Sequence, residues 1–520
     1  MKQIFYTLFV LLSMNLSSQA QTWNGTVSNV WTNPLNWTPN AVPGVGASVV
    51  INSSPNTPKL PANTSIGALS TSSGASLDFN GFTLTVGANN AYNNLNGTTF
   101  LNTNGSTDIV LNITTPSSGY NFQLNGCTFS DHVTINLSGG DPFLEAQTAT
   151  NTYNGNVIYN INSTLLTSFS ISGPSQYNGN LNINRTVIGT TSMFTAGGFV
   201  TGNFNYQNAL GGHTGFGSGA ITTTINGTCT INANYTLPYS FAMTRIKNLT
   251  TGGTINVQNS VSPQIQFDSL KVISFTIEGY RGSEYARIFY NKIEGNITLE
   301  DAVTFGSGYN TELRSNTFTG TTIFTLNGTN HLYESNAANN SCVYNGNTII
   351  NLAGPGNLYL SNGDTSIFNG NLTINRTVSG YCAAFGSSAI INGNFTYNNT
   401  SSGDNDLGNL SQKTEISGTI NMNINLSPIG RFQMYRLINQ TPGGKINVYN
   451  SRGIDLRNDS LKVDSLNIVS YRGNAYGYFY DNHIIGHLQI ADSTSYTTGY
   501  STQIKNNTIT NTMFSTQQIT

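Results

Sequence analysis

Charge is what this chain has least of. Asp, Glu, Lys and Arg supply 8% of its 520 residues, against about 25% in ordinary globular proteins. The net charge of −2 leaves no electrostatic footprint for nucleic acid or an anionic lipid surface. Beyond the first twenty residues no run of about 18 apolar residues occurs, so no transmembrane segment is expected. The amphipathic stripes that helical or leucine-rich repeats need are missing as well. Four cysteines, Cys127, Cys229, Cys342 and Cys382, show no metal-ligand spacing. They are expected to be buried thiols, with one disulfide as the alternative. Disorder is excluded by the 37% of hydrophobic residues, 26 Phe and 26 Tyr among them.

The ends are informative. MKQ gives a short basic start, IFYTLFVLLSMNL a hydrophobic run, and Ser18-Gln19-Ala20 a small-residue cleavage site. Residues 1–20 therefore read as a secretory signal peptide, which places the mature chain outside the cell, secreted or on the outer surface.

What the chain has in abundance is repetition. YNGNLNINRTV begins at Tyr177 and FNGNLTINRTV at Phe368, nine letters of eleven in common at an offset of 191. The same offset relates DSLKV at Asp268 to Asp459, and Tyr280-Arg281-Gly282 to Tyr471-Arg472-Gly473. With a two-residue slip, GYNFQLNGCTF at Gly119 resembles GYNTELRSNTF at Gly308, and a third start stands at Gly499. Copies of a long unit thus begin near 119, 308 and 499, the last one truncated.

Inside that unit runs a shorter period. A Gly is followed by alternation of apolar and polar residues, as in Leu181 and Ile183 after Gly179 or Phe204 and Tyr206 after Gly202. Period-two alternation means strands with one face in and one face out. Repeats of this length mean a solenoid, because one coil cannot bury its own apolar face. Eight coils of about 24 residues fill the 191-residue super-repeat, and each has room for three short strands and three turns. The expected fold is all-β, a parallel and right-handed β-helix, with a propeller as runner-up. Each Gly is expected to mark a corner where positive φ is cheap, and Asn at equivalent corners to form ladders. Residues 66–520 are assigned to this β-helix.

All three tryptophans, Trp23, Trp31 and Trp37, fall in a block without a downstream copy. Terminal repeats of solenoids are atypical, so residues 21–65 read as an N-terminal cap, a Trp-lined glycan site being the alternative. The opening Trp23-Asn24-Gly25, Trp31, Asn36-Trp37 and Pro43-Gly44, followed by Gly/Asn/Thr-rich coils, resembles large adhesin-like surface proteins of Gram-negative bacteria. The resemblance implies a pectate-lyase-like β-helix shape. It also implies a C-terminal anchoring or sorting domain, which this sequence does not show; it reads as a fragment.

Candidate chemistry is sparse. Asp455, Asp459, Asp464 and Asp481 are the densest acidic group, Asp404-Asn405-Asp406 a loop without EF-hand spacing, and His483 and His487 an i, i+4 pair in a strand-like segment. None of these supports a catalytic or metal-site assignment, and no cofactor is implied. Arg436 and Asp459 lie one coil apart, as do Arg245 and Asp268, and each pair is expected to form an inter-coil ion pair. Asp-Ser-Leu triplets at Asp268, Asp459 and Asp464, with Asp-Ser-Thr at Asp492, resemble O-glycosylation acceptors of exported bacterial proteins. The best binding candidate is the repeated aromatic turn, Tyr280, Arg281 and Tyr285 with their counterparts Tyr471, Arg472 and Tyr476. Tyr offers an apolar face with a polar edge and Arg a planar donor fork. The leading expectation is an adhesin-like, rod-like protein that binds glycans or a cell-surface ligand. The alternatives are a β-helix lyase or glycosidase and a passive spacer. An enzyme requires clustered carboxylates with Arg or Lys on one face; an adhesin requires exposed aromatics in axial register.

Overall fold

The computed structural model describes residues 20–87, 93–104, 108–115, 121–164, 166–217, 220–236, 239–282, 285–303, 310–426, 430–471, 477–492 and 502–516. The expected signal peptide up to residue 19 and the three copy starts near 119, 308 and 499 lie outside them. The chain divides into two compact units, residues 1–233 with 245–250 and residues 234–244 with 251–520. Both are the expected fold, a parallel β-solenoid; about 18 turns are present at a spacing of about 24 residues.

Most coils carry three strands, and each strand pairs with its equivalent on the next coil. In the first unit one coil consists of Phe143–Glu145, Thr152–Tyr153 and Val157–Ser163. The next consists of Thr167–Ser168, Ser175–Tyr177 and Leu181–Arg185. Phe143 aligns with Thr167, Tyr153 with Tyr177 and Val157 with Leu181. These define a first, second and third ladder. The second unit repeats the arrangement: Cys382 aligns with Asn405, Ile391 with Ile416 and Phe395 with Ile420.

Alternation along the strands sorts the side chains. Leu181 and Ile183 point inward and are fully buried, while Asn182 and Asn184 face out. Burying one such aliphatic side chain contributes about 1.5–3 kcal/mol. Rings stack on the second ladder of the first unit: Phe100 on Phe129, Phe129 on Tyr153 and Tyr153 on Tyr177, at 4.7, 4.9 and 4.9 Å. That separation is the rung spacing of a β-sheet, about 4.8 Å, so parallel pairing and ring stacking reinforce each other.

The Asn ladders are present. At the corner between the second and third ladders, Asn180 N–H donates to Asn156 Oδ1 (2.9 Å) and Asn203 N–H to Asn180 Oδ1 (2.8 Å). The second unit repeats this with Asn371 on Asn347 and Asn394 on Asn371. The glycines beside them, however, do not adopt positive φ; Gly155, Gly179, Gly202, Gly346 and Gly370 are all absent from the left-handed region. They are required for clearance. A Cβ on Gly179 would stand 2.7 Å from Asn156 N and Gly155 O, and one on Gly370 2.5 Å from Gly346 O.

Other glycines of this corner, Gly253, Gly295 and Gly444, do hold positive φ (75°, 135° and 85°), and between the first and second ladders positive φ occurs mostly on residues that are not glycine. Ala146, Ser170 and Phe194 hold it in the first unit (52°, 51° and 59°). Ser361, Phe385, Arg436 and Asn458 hold it in the second (49°, 68°, 55° and 58°). A left-handed L-residue costs about 1–2 kcal/mol, and paired strands on both sides of the turn hold it there.

Some coils dispense with the Asn-Gly corner. Ser269–Tyr280 and Ser460–Tyr471 run as 12-residue strands through both the second and third ladders. Their register shifts between Lys271 and Ser274 and between Lys462 and Ser465, so a bulge makes the bend instead.

The three tryptophans pack against one another in a small core. Trp23, Trp31 and Trp37 are buried, with Trp37 edge-on to Trp23 and Trp31 at 5.0 and 4.7 Å. Trp37 Nε1 donates to Trp31 O and Trp23 Nε1 to Asn56 O. Parallel pairing begins within this segment, where Ser48–Ile51 aligns with Ala68–Thr71. All four cysteines are buried, and none is in a disulfide.

Candidate ligand-binding face

The aromatic turn singled out by the repeat is only partly a surface. Tyr280 is 2% exposed, with its hydroxyl 2.8 Å from Thr311 Oγ1. Burial first, then the nearby Asp301 carboxylate, pushes its phenol up. Its inward register in the strand Ser269–Tyr280 places the ring in the core, so it cannot offer a face to a ligand. Arg281 is exposed and Tyr285 half-buried, with the Arg287 guanidinium 5.4 Å from the Tyr285 ring centre. In the other copy Tyr471 aligns with Asp492; its side chain, Arg472 and Tyr476 lie outside the described residues.

The expected Arg436–Asp459 ion pair does not form. Asp459 turns inward and is 1% exposed, Oδ1 accepting Leu437 N–H at 2.8 Å while Oδ2 has no partner. Burial pushes its carboxyl well above the usual carboxylate range. Arg436 follows the left-handed corner outward, and its Nε is unpartnered. The two side chains leave the chain on different faces.

The remaining acidic candidates disperse too. Asp404 accepts Arg431 Nε at 3.2 Å and stands 3.8 Å from Arg452 Nη2, Asn405 is buried against Tyr397 and Asn399, and Asp406 faces outward. His483 and His487 sit in the strand His483–Asp492. Among the described residues no group of three His, Cys, Asp or Glu side chains could hold a metal ion.

The concentration of chemistry is on the outward side of the first ladder in the second unit. At one register position Tyr333, Tyr359, Ala383, Asp406, Gln433 and Asp455 follow one another coil by coil. Tyr333 and Tyr359 stack at 4.4 Å and 7°, and Tyr381 packs edge-on to Tyr359 at 5.8 Å. Tyr381 donates its hydroxyl hydrogen bond to Asp406, and Tyr435 donates to Asp455 at 2.8 Å. Arg457 grips Asp455 through two hydrogen bonds, 2.6 and 2.9 Å, and lies 4.9 Å from the Tyr478 ring centre. Burial raises the Asp406 carboxyl and both the Tyr381 and Tyr435 phenols. The Asp455 hydrogen bonds hold the Arg457 guanidinium protonated more firmly than usual.

This face is what the duplication did not copy. At the 191-residue offset, Tyr359, Tyr381, Asp406 and Tyr435 correspond to Ser168, Thr190, Gly215 and Thr244. Inward neighbours keep their character: Leu360 corresponds to Phe169, Leu407 to Phe216 and Met434 to Met243. A search for recurring residues was bound to miss such a site, since its signature is divergence within the repeat.

A concavity of about 610 Å3 runs along the left-handed corner beside this face, lined by Ser388, Ser411, Gln412, Lys413, Arg436, Ile438 and Asn458. Arg436 directly follows Tyr435, and Asn458 follows Arg457. No family model, curated protein or solved structure matches the chain. Among the described residues no helix is long and apolar enough to cross a membrane.

Proposed function

We propose that the second unit binds glycans through the outward side of its first ladder, in an exported, adhesin-like protein. One observation carries this reading: half-exposed tyrosines and hydrogen-bonding side chains replace Ser, Thr and Gly there, while the inward packing of the repeat is retained. Folding alone does not require that replacement. Tyr rings give sugar rings an apolar platform with a polar edge, and Asp, Gln and Arg at adjacent rungs supply directional acceptors and donors for hydroxyl groups. The leading basic and hydrophobic run supports export.

The test is a glycan array with the full chain and a Tyr359→Ala/Tyr381→Ala variant. Wild type is expected to bind a subset of glycans, and the variant to lose that binding with an unchanged thermal melt. A blank array, or undiminished binding by the variant, discards the reading.

A second reading, glycoside hydrolysis, draws on Asp406 and Asp455. They stand two rungs apart, about 10 Å by strand spacing, just above the separation of about 6.5–9.5 Å used by inverting glycosidases. Reducing ends released from bound glycans, and lost in Asp406→Asn, would favour it over binding alone.

A further inference from the structure

We infer that the groove beside the aromatic face receives an anionic substituent, which makes an acidic polysaccharide the ligand class; this rests on the glycan-binding reading. The groove's lining contains two cations, Lys413 and Arg436, two amides, Gln412 and Asn458, and no carboxylate. Lys413 is already paired with Glu415. Arg436 is not paired. Its Nε is buried from solvent and has no hydrogen-bond partner.

A solvent-shielded guanidinium N–H without an acceptor is costly, about 1–3 kcal/mol or more for a charged group. Native structures satisfy the great majority of such atoms. The acid one coil away cannot serve. Asp459 is turned inward to Leu437 N–H, and burial favours its neutral form. The backbone holds the cation in place at some cost in strain, since Arg436 sits at φ 55°. An Arg fork that shares a groove with two amide side chains supplies the donors that a carboxylate or a sulfate ester accepts.

The site belongs to the second unit. At the 191-residue offset Gln412 and Asn458 correspond to Ile221 and Phe267, which offer no hydrogen bonds from their side chains. The groove residues adjoin Tyr435 and Arg457 in sequence, so one saccharide chain can engage both platform and cation.

The left-handed φ supplies a useful variant. Arg436→Gly suits that backbone conformation and removes the cation, so the fold is retained while the site is lost; Arg436→Gln keeps the bulk and removes the charge. Binding of the full chain is measured to polygalacturonate, dextran sulfate and uncharged dextran at two salt concentrations. The inference expects binding to one or both acidic polymers, at least tenfold weaker in both variants, with no loss of thermal stability. Loss confined to polygalacturonate identifies a carboxylate, and loss confined to dextran sulfate a sulfate. Unaltered acidic-polymer binding in the variants overturns the inference. If it still falls with Tyr359→Ala/Tyr381→Ala, the glycan-binding reading stands. Binding to dextran alone also overturns the inference, and no binding in any arm overturns both.

Discussion

Glu145 and Glu334, 189 positions apart in sequence, occupy the same buried station. Each is fully buried, and each carboxylate accepts a backbone N–H and a serine hydroxyl from the next coil, Ser170 and Ser175 for one, Ser361 and Ser366 for the other. Asn151 and Tyr153 also donate to Glu145 (both 3.1 Å). Replacing Glu334 by Ala strands the Ser361 N–H and the Ser335 and Ser366 hydroxyls, at about 1–3 kcal/mol apiece. Chemical denaturation is expected to show a loss of about 3 kcal/mol.

The same carboxylates set a pH dependence. Burial raises both Glu145 and Glu334, and raises Asp301 to about 6. The folded state therefore binds these protons more tightly than the unfolded chain. Their contribution to stability is complete below the unfolded value, about 4, and is lost as pH rises through the folded values. Thermal melts should fall from pH 4 toward pH 7, the share due to Asp301 levelling off above about pH 6, and Asp301→Asn should remove that share. A melt that rises over this interval contradicts the assignment.

The two kinds of corner respond oppositely to substitution. Gly179→Ala forces a Cβ to 2.7 Å from the preceding coil and should cost about 1–3 kcal/mol, the usual penalty of overpacking. Ser315, at φ 50°, should gain about 0.5 kcal/mol on replacement by Gly, because relief of strain exceeds the added freedom of the unfolded chain. Urea titrations of the two variants give the comparison directly.

Arg185 and Arg376, from the eleven-residue sequence that recurs, are 2% and 1% exposed. Arg185 donates to Thr191 Oγ1 through Nε (2.8 Å) and to Thr167 Oγ1 through Nη2 (3.1 Å). In the second copy those threonines are Cys382 and Leu358, and Arg376 Nε and Nη1 have no partners. Cys382→Thr should therefore stabilise the protein by about 1 kcal/mol and Thr191→Cys destabilise it by a similar amount, the net worth of one hydrogen bond. Matched melts of the pair test both signs.

The coil, its length and its inward residues were legible because burial repeats: Leu181, Ile183 and their equivalents carry a strand's period at every turn. The Asn-Gly corner was legible as a position but not in its cause, since clearance between Gly179 and the coil below is invisible in one dimension. The left-handed corner left no compositional trace, being held by Ser, Phe and Arg alike. Tyr280 misled because recurrence marks what the fold needs, and the fold needs that ring inside. The Tyr359–Asp406 face escaped for the complementary reason.

The outward positions of the first ladder pack against one another from rung to rung and not into the apolar interior. A coil can therefore exchange Ser168 for a residue like Tyr359, or Gly215 for one like Asp406, while the hydrogen-bonded framework beneath goes unaltered. Copying a block of coils would then create a spare face free to diverge, and new specificity could accumulate one rung at a time without passing through an unfolded ancestor.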